Sequence, residues 1–76
     1  MPKIPRNLPG LQVIKILSKM GFHAIRQKGS HVVLEKIIGM ERWGCVVPLH
    51  KDLKVGTLKG ILKQAKISED EFFSFL

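Results

Sequence analysis

Carboxylates are scarce in this chain: six Asp and Glu stand against thirteen Lys and Arg, a formal net charge of +7 at pH 7 and an isoelectric point near 10.0. The few acids are scattered, and no pair drawn from His23, His31, Cys45 and His50 has the close spacing of a zinc motif, so no metal site and no cofactor are expected. Cys45, the single cysteine, excludes an internal disulfide and reads as a small buried hydrophobe, which suits a reducing cytoplasm. No apolar run approaches the roughly 20 residues that cross a bilayer. The basic start, Met1-Pro2-Lys3-Ile4-Pro5-Arg6, leads into a segment broken by Gln12, Lys15 and Lys19, which argues against a signal peptide. Tyrosine is absent and Trp43 is the only aromatic in the second and third predicted strands, so no platform for stacking successive bases is expected and sequence preference should be weak.

What is present is one domain's worth of chain, 76 residues, with a small core and a cationic surplus that favours a polyanionic partner by long-range attraction. Nucleic acid leads among such partners, ahead of an acidic protein or a membrane surface.

The pattern centres on Arg26-Gln27-Lys28-Gly29-Ser30-His31-Val32-Val33-Leu34, where a cationic segment turns through a glycine into an apolar run headed by a histidine. Gly29 can take a positive φ, so Lys28-Gly29-Ser30 reads as a hairpin turn with His31 opening the second strand. An imidazole titrating near pH 6.5 can move a proton near neutrality, and Arg26 and Lys28 set positive charge beside it, an arrangement suited to a phosphodiester. The plainer reading is a strand histidine with no chemistry.

Before this stretch, Leu11, Ile14, Leu17 and Met20 recur at helical spacing, widened by Val13 and Ile16. This predicts a first helix capped near Asn7, with Pro9 in its first turn and Gly21 at its end. Strands are predicted over 22–27, 30–37 and 41–47 as an antiparallel meander, with Pro48 ending the third. Alternation sends Val32 and Leu34 to one face and His31, Val33 and Glu35 to the other, so His31 is expected on the open face. A second helix over 55–66 buries Leu58, Ile61, Leu62 and Ala65 and shows a ridge of Lys59, Lys63 and Lys66, while its N-terminus, beside Lys51 and Lys54, offers N–H groups to an anion. Ser68 and Glu71 predict a capping box for a short last helix whose Phe72, Phe73, Phe75 and Leu76 close the core. The fold class is α+β, in the order α-β-β-β-α-α.

Four blocks of the chain in this order resemble the HicA-type (YcfA-like) messenger-RNA interferases of toxin-antitoxin pairs. They are Val13-Ile14-Lys15-Ile16-Leu17 leading to Gly21-Phe22, the Arg26-Gln27-Lys28-Gly29-Ser30-His31 segment, Val47-Pro48-Leu49-His50, and Leu53-Lys54-Val55-Gly56-Thr57-Leu58 followed by Ile61-Leu62-Lys63-Gln64-Ala65. Val55 departs from the proline many relatives carry, and the Pro9-Gly10 helix start is unusual. The resemblance implies a double-stranded-RNA-binding-domain-like fold spanning 1–76 and cleavage of single-stranded mRNA by the histidine of the Gly-Ser-His motif, His31. It also implies control by a HicB-type antitoxin. His31 is then the catalytic candidate, as base or as acid, with His50 as a candidate assistant. Arg26, Lys28, Gly29, Ser30, Lys51, Lys54, Lys59 and Lys63 are candidates for RNA binding. A non-catalytic RNA-binding domain and a degenerate toxin kept only for its partner remain open alternatives.

Overall fold

A computed structural model of the chain describes residues 8–76, so the predicted Asn7 cap and the basic start lie outside the described residues. The elements are α1 (Gly10–Lys19), β1 (His23–Lys28), β2 (His31–Ile38), β3 (Glu41–Pro48), α2 (Val55–Gln64) and α3 (Glu69–Phe73), in the expected order. The three strands form an antiparallel meander, β1-β2-β3, each strand lying within a residue of its predicted bounds. Both connecting turns hold glycine at positive φ, +60° at Gly29 and +61° at Gly39.

The helices cover one face of the sheet because their apolar stripes meet the even-numbered residues of β2. Val13, Ile16 and Leu17 of α1 and Leu58, Ile61 and Leu62 of α2 are buried with Val32, Leu34, Cys45 and Val47 in one cluster. Each buried side chain of this size contributes about 1.5 to 3 kcal/mol relative to exposure. Phe72 and Phe73 of α3 close the end of the core, their rings edge to face at 5.3 Å. The capping box at its start forms as expected, with the Glu71 amide donating to Ser68 Oγ at 3.1 Å.

Both long helices stop in the same backbone motif, in which the amide two residues past the cap reaches back into the last turn. Phe22 N donates to the Leu17 carbonyl and Ile67 N to that of Leu62, each at 3.0 Å, the Schellman pattern. In α1 the left-handed position is Gly21, with φ +100°; in α2 it is Lys66, with φ +58°.

Four details correct the pattern read from sequence. Pro9 is the N-cap of α1 rather than a first-turn residue. Leu11 is 63% exposed, because α1 turns the side that carries Val13, Ile16 and Leu17 to the sheet and Leu11 lies on the opposite side of the helix. Lys66 leaves the predicted lysine ridge, since the left-handed turn swings its ammonium over the Trp43 ring, 5.3 Å from the centroid. Phe75 and Leu76 stay exposed, since α3 ends at Phe73 and only Phe72 and Phe73 reach the core.

Candidate active site

The first hairpin turn is two residues long, with Lys28 paired to His31 across it. Positive φ at Gly29 and not at Ser30 is the pattern of a type II′ turn, whose twist suits the flanking strands. Gln27 Nε2 braces it by donating to the Gly29 carbonyl at 3.0 Å. His31 therefore heads the central strand. Cross-strand partners share a face, so Lys28 stands directly beside His31, and Arg26, paired with Val33, follows one step along the same face. Val32 is buried on the opposite face while His31 is exposed, as its alternation predicts.

On its other side His31 pairs with Pro48, which has no N–H to extend the ladder. The contact continues anyway: the amide of Leu49 donates to the Ser30 carbonyl at 2.6 Å. The loop that follows is clasped from outside by the start of the described chain. Gly10 N donates to the His50 carbonyl and Leu53 N to the Leu8 carbonyl, both at 2.9 Å, with Leu8 and Leu53 forming a bridge. This close approach requires glycine, because a Cβ on Gly10 would run into the Pro48 carbonyl oxygen. The backbone of His50 is thus held between the Gly-Ser-His turn and the head of α1, with its side chain exposed.

The structure brings together Arg26, Lys28, Gly29, Ser30 and His31 on the hairpin, with His50 and Lys51 on the clasped loop beside it. Lys54 is the N-cap of α2; no side chain caps that terminus, and Gly56 and Thr57 are exposed there. Lys59 and Lys63 are not brought to the hairpin. They stand opposite the buried stripe of α2, on the outside of the helical layer, while His31 faces out from the sheet.

Among the described residues, no three His, Cys, Asp or Glu side chains gather into a metal-binding group. Cys45 sits on the covered face, and burial pushes its thiol up from 9.0 to about 11, which keeps it protonated and unreactive.

Two hollows flank this framework. One, of about 270 Å³, lies along the open face away from His31, lined by Gly21, His23, Ile25, Glu35 and Ile37. The other, of about 230 Å³, adjoins the clasped loop and is lined by Pro9, Leu11, Leu49, His50 and Lys51. Gly10, Leu11 and Leu49 were not singled out from sequence as site residues. The one hint was Pro9-Gly10, a poor pair with which to start a helix and a good one with which to bring backbones close.

Comparison with known families matches residues 10–67 to the one described as the HicA toxin of bacterial toxin-antitoxin pairs. The chain belongs to the HicA toxin family. The match runs from the first residue of α1 through the turn that ends α2, taking in the hairpin, the clasped loop and both helices, and leaves α3 outside. No curated protein matches the chain. Among the described residues, no helix is long and apolar enough to cross a membrane.

Proposed function

We propose that this HicA family member is a metal-independent endoribonuclease that cleaves messenger RNA in the cytoplasm and is silenced by a cognate antitoxin of the HicB type. The observation that carries the reading is the exposed His31 at the head of the central strand, with Lys28 paired to it and Arg26 one step along the same face. RNA supplies its own nucleophile. The 2′-hydroxyl loses its proton as its oxygen bonds to phosphorus, and the bond to the 5′-oxygen breaks as that oxygen gains a proton. The products are a 2′,3′-cyclic phosphate and a 5′-hydroxyl. His31 carries one of the two proton transfers, a role worth about 10² to 10⁴ in rate, and His50 is the candidate for the other. Lys28 and Arg26 stabilise the charge that develops on the phosphate.

The surrounding lysines divide by position. Lys51 and Lys54 follow the RNA away from the hairpin with Gly29 and Ser30 at its mouth, and Lys59 and Lys63, on the outer layer, contribute to the long-range field. The same cationic surface favours an acidic antitoxin, whose charge speeds association and whose body keeps RNA from His31. The helix-strand-strand-strand-helix order is compatible with the double-stranded-RNA-binding-domain-like fold that the resemblance implies, and the chemistry proposed here is on single strands.

The test is His31→Ala with two readings on one preparation. Cleavage in excess chelator should fall at least about 100-fold, while stability shifts by no more than about 0.5 kcal/mol, the usual limit for an exposed site free of caps and networks. Unchanged cleavage removes His31 from the chemistry; RNA bound by wild-type protein but never cut makes the chain a binder; 5′-phosphate ends point to another mechanism.

A further inference from the structure

The hollow beside the clasped loop has the wrong surface for a phosphate and the right one for a base. Its walls are the Pro9 ring and the side chains of Leu11 and Leu49, with His50 and Lys51 as its polar members. Leu11 is a large apolar side chain left 63% exposed at the edge of this hollow, on a helix whose Val13, Ile16 and Leu17 are buried. At about 230 Å³ the hollow is smaller than the roughly 300 to 1,000 Å³ of sites for larger ligands, a size for one flat ring system rather than a peptide segment. Its position is fixed relative to His31 by backbone bonds alone: Leu49 N to Ser30 O at 2.6 Å on one side and Gly10 N to His50 O at 2.9 Å on the other.

From this juxtaposition we infer that the hollow is a nucleobase subsite, holding one unstacked base of the RNA strand next to the phosphodiester presented to His31. The inference rests on the ribonuclease reading for its biological use but not for its test. Single-stranded RNA is recognised by splaying bases onto aromatic side chains, histidine included, and hydrogen-bonding their edges, and aliphatic walls bury the faces of a base as they bury any apolar surface. Here Leu11 and Leu49 supply the apolar contact, the His50 ring the flat polar edge, and Lys51 a partner for the adjoining phosphate. Sequence preference then comes from one pocket rather than from a row of aromatics, so discrimination is concentrated at a single nucleotide position.

The experiment titrates full-length protein, its leucine methyls observed by NMR, with uridine 3′-monophosphate, adenosine 3′-monophosphate and ribose 5-phosphate. Both nucleotides should shift the Leu11 and Leu49 methyl signals, to different extents, and ribose 5-phosphate should not, because it carries sugar and charge without a base. Leu11→Ala, which removes an exposed wall and leaves the core intact, should weaken nucleotide binding about tenfold, the size expected when a base loses part of its apolar contact with a leucine side chain. In a cleavage assay the same variant should raise KM with kcat retained and flatten the preference at one position beside the cut. If wild-type protein binds nucleotide this way yet never cleaves RNA, the subsite stands and the nuclease reading fails. Methyl signals that respond equally to ribose 5-phosphate, or to none of the three, overturn the subsite. So does a Leu11→Ala that leaves nucleotide binding unchanged and weakens the antitoxin complex instead, which would give the hollow to a protein side chain.

Discussion

The sheet has two hairpin turns with nearly the same backbone and opposite surroundings. Gly29-Ser30 and Gly39-Met40 are both two-residue turns with glycine first, at φ +60° and +61°, and an added Cβ at either glycine would meet nothing within 4 Å. Around the first turn stand Lys28 and His31, and its serine carbonyl is tied to Leu49. Around the second stand Ile38, a Met40 that is 104% exposed and Glu41, and among the described residues no backbone bond from another segment reaches it. Turn chemistry therefore makes a hairpin and nothing more. What distinguishes a candidate active site from a bare tip is the charge brought by the flanking residues and the second segment bonded to the turn.

The largest effect should come from loosening that second segment. In Gly10→Ala the new methyl meets the Pro48 carbonyl oxygen, a backbone atom that cannot rotate away, so the head of α1 must lift from the loop that carries His50. Overpacking of this kind costs about 1 to 3 kcal/mol, and the upper end is expected here. Denaturant unfolding reads the loss, and amide exchange at Leu49 and Leu53, whose N–H groups donate to Ser30 and Leu8, should quicken while exchange at Gly39 and Met40 is unchanged. Protection retained at Leu49 would mean that the clasp does not hold the first hairpin.

The two glycines test the comparison itself. Gly29→Ala and Gly39→Ala each force an alanine into left-handed backbone with no steric relief needed, so both should destabilise by about 1 to 2 kcal/mol, and by nearly the same amount. Cleavage of RNA, measured at a temperature where both variants are folded, should fall only for Gly29→Ala. Equal losses of activity would make the effect one of global stability.

A smaller effect separates the hairpin lysine from the outer layer. If Lys28 contacts a phosphate and Lys59 does not, Lys28→Ala should flatten the log-log dependence of single-strand RNA affinity on salt by about 0.7, and Lys59→Ala should leave the slope unchanged. The reverse result would put the RNA on the helical face.

The smallest belongs to the covered face. Because burial raises the Cys45 thiol from 9.0 to about 11, the folded protein holds a proton that the unfolded chain releases in that window. Its contribution to stability is complete below pH 9.0 and declines as the pH climbs toward 11. Cys45→Ala should remove this part of the alkaline slope, and iodoacetamide should label the native thiol slowly at neutral pH.

The sequence alone determined the elements, their order and the face each strand turns inward. Periodicity of 2 and 3.6 reports which side chains share a face, and the alternation of Val32 and Leu34 with His31 is the same before and after folding. It marked the glycine turn, the capping box at Ser68 and Glu71, and the blocks that resemble the HicA family. Tertiary structure decided what lies at the ends of elements, where periodicity runs out. Leu11 continues the three-residue steps of Ile14 and Leu17, yet the side of α1 that packs is that of Gly10, Val13, Ile16 and Leu17, which leaves Leu11 on the far side; Lys66 fits the ridge of α2, yet the left-handed turn folds it onto Trp43. The meeting of the Gly-Ser-His turn with the Pro-Leu-His loop was likewise invisible, because it is made by backbone amides and carbonyls that every residue except proline carries in full. Only packing α1 against the loop, possible because residue 10 has no side chain, selects which of those groups meet.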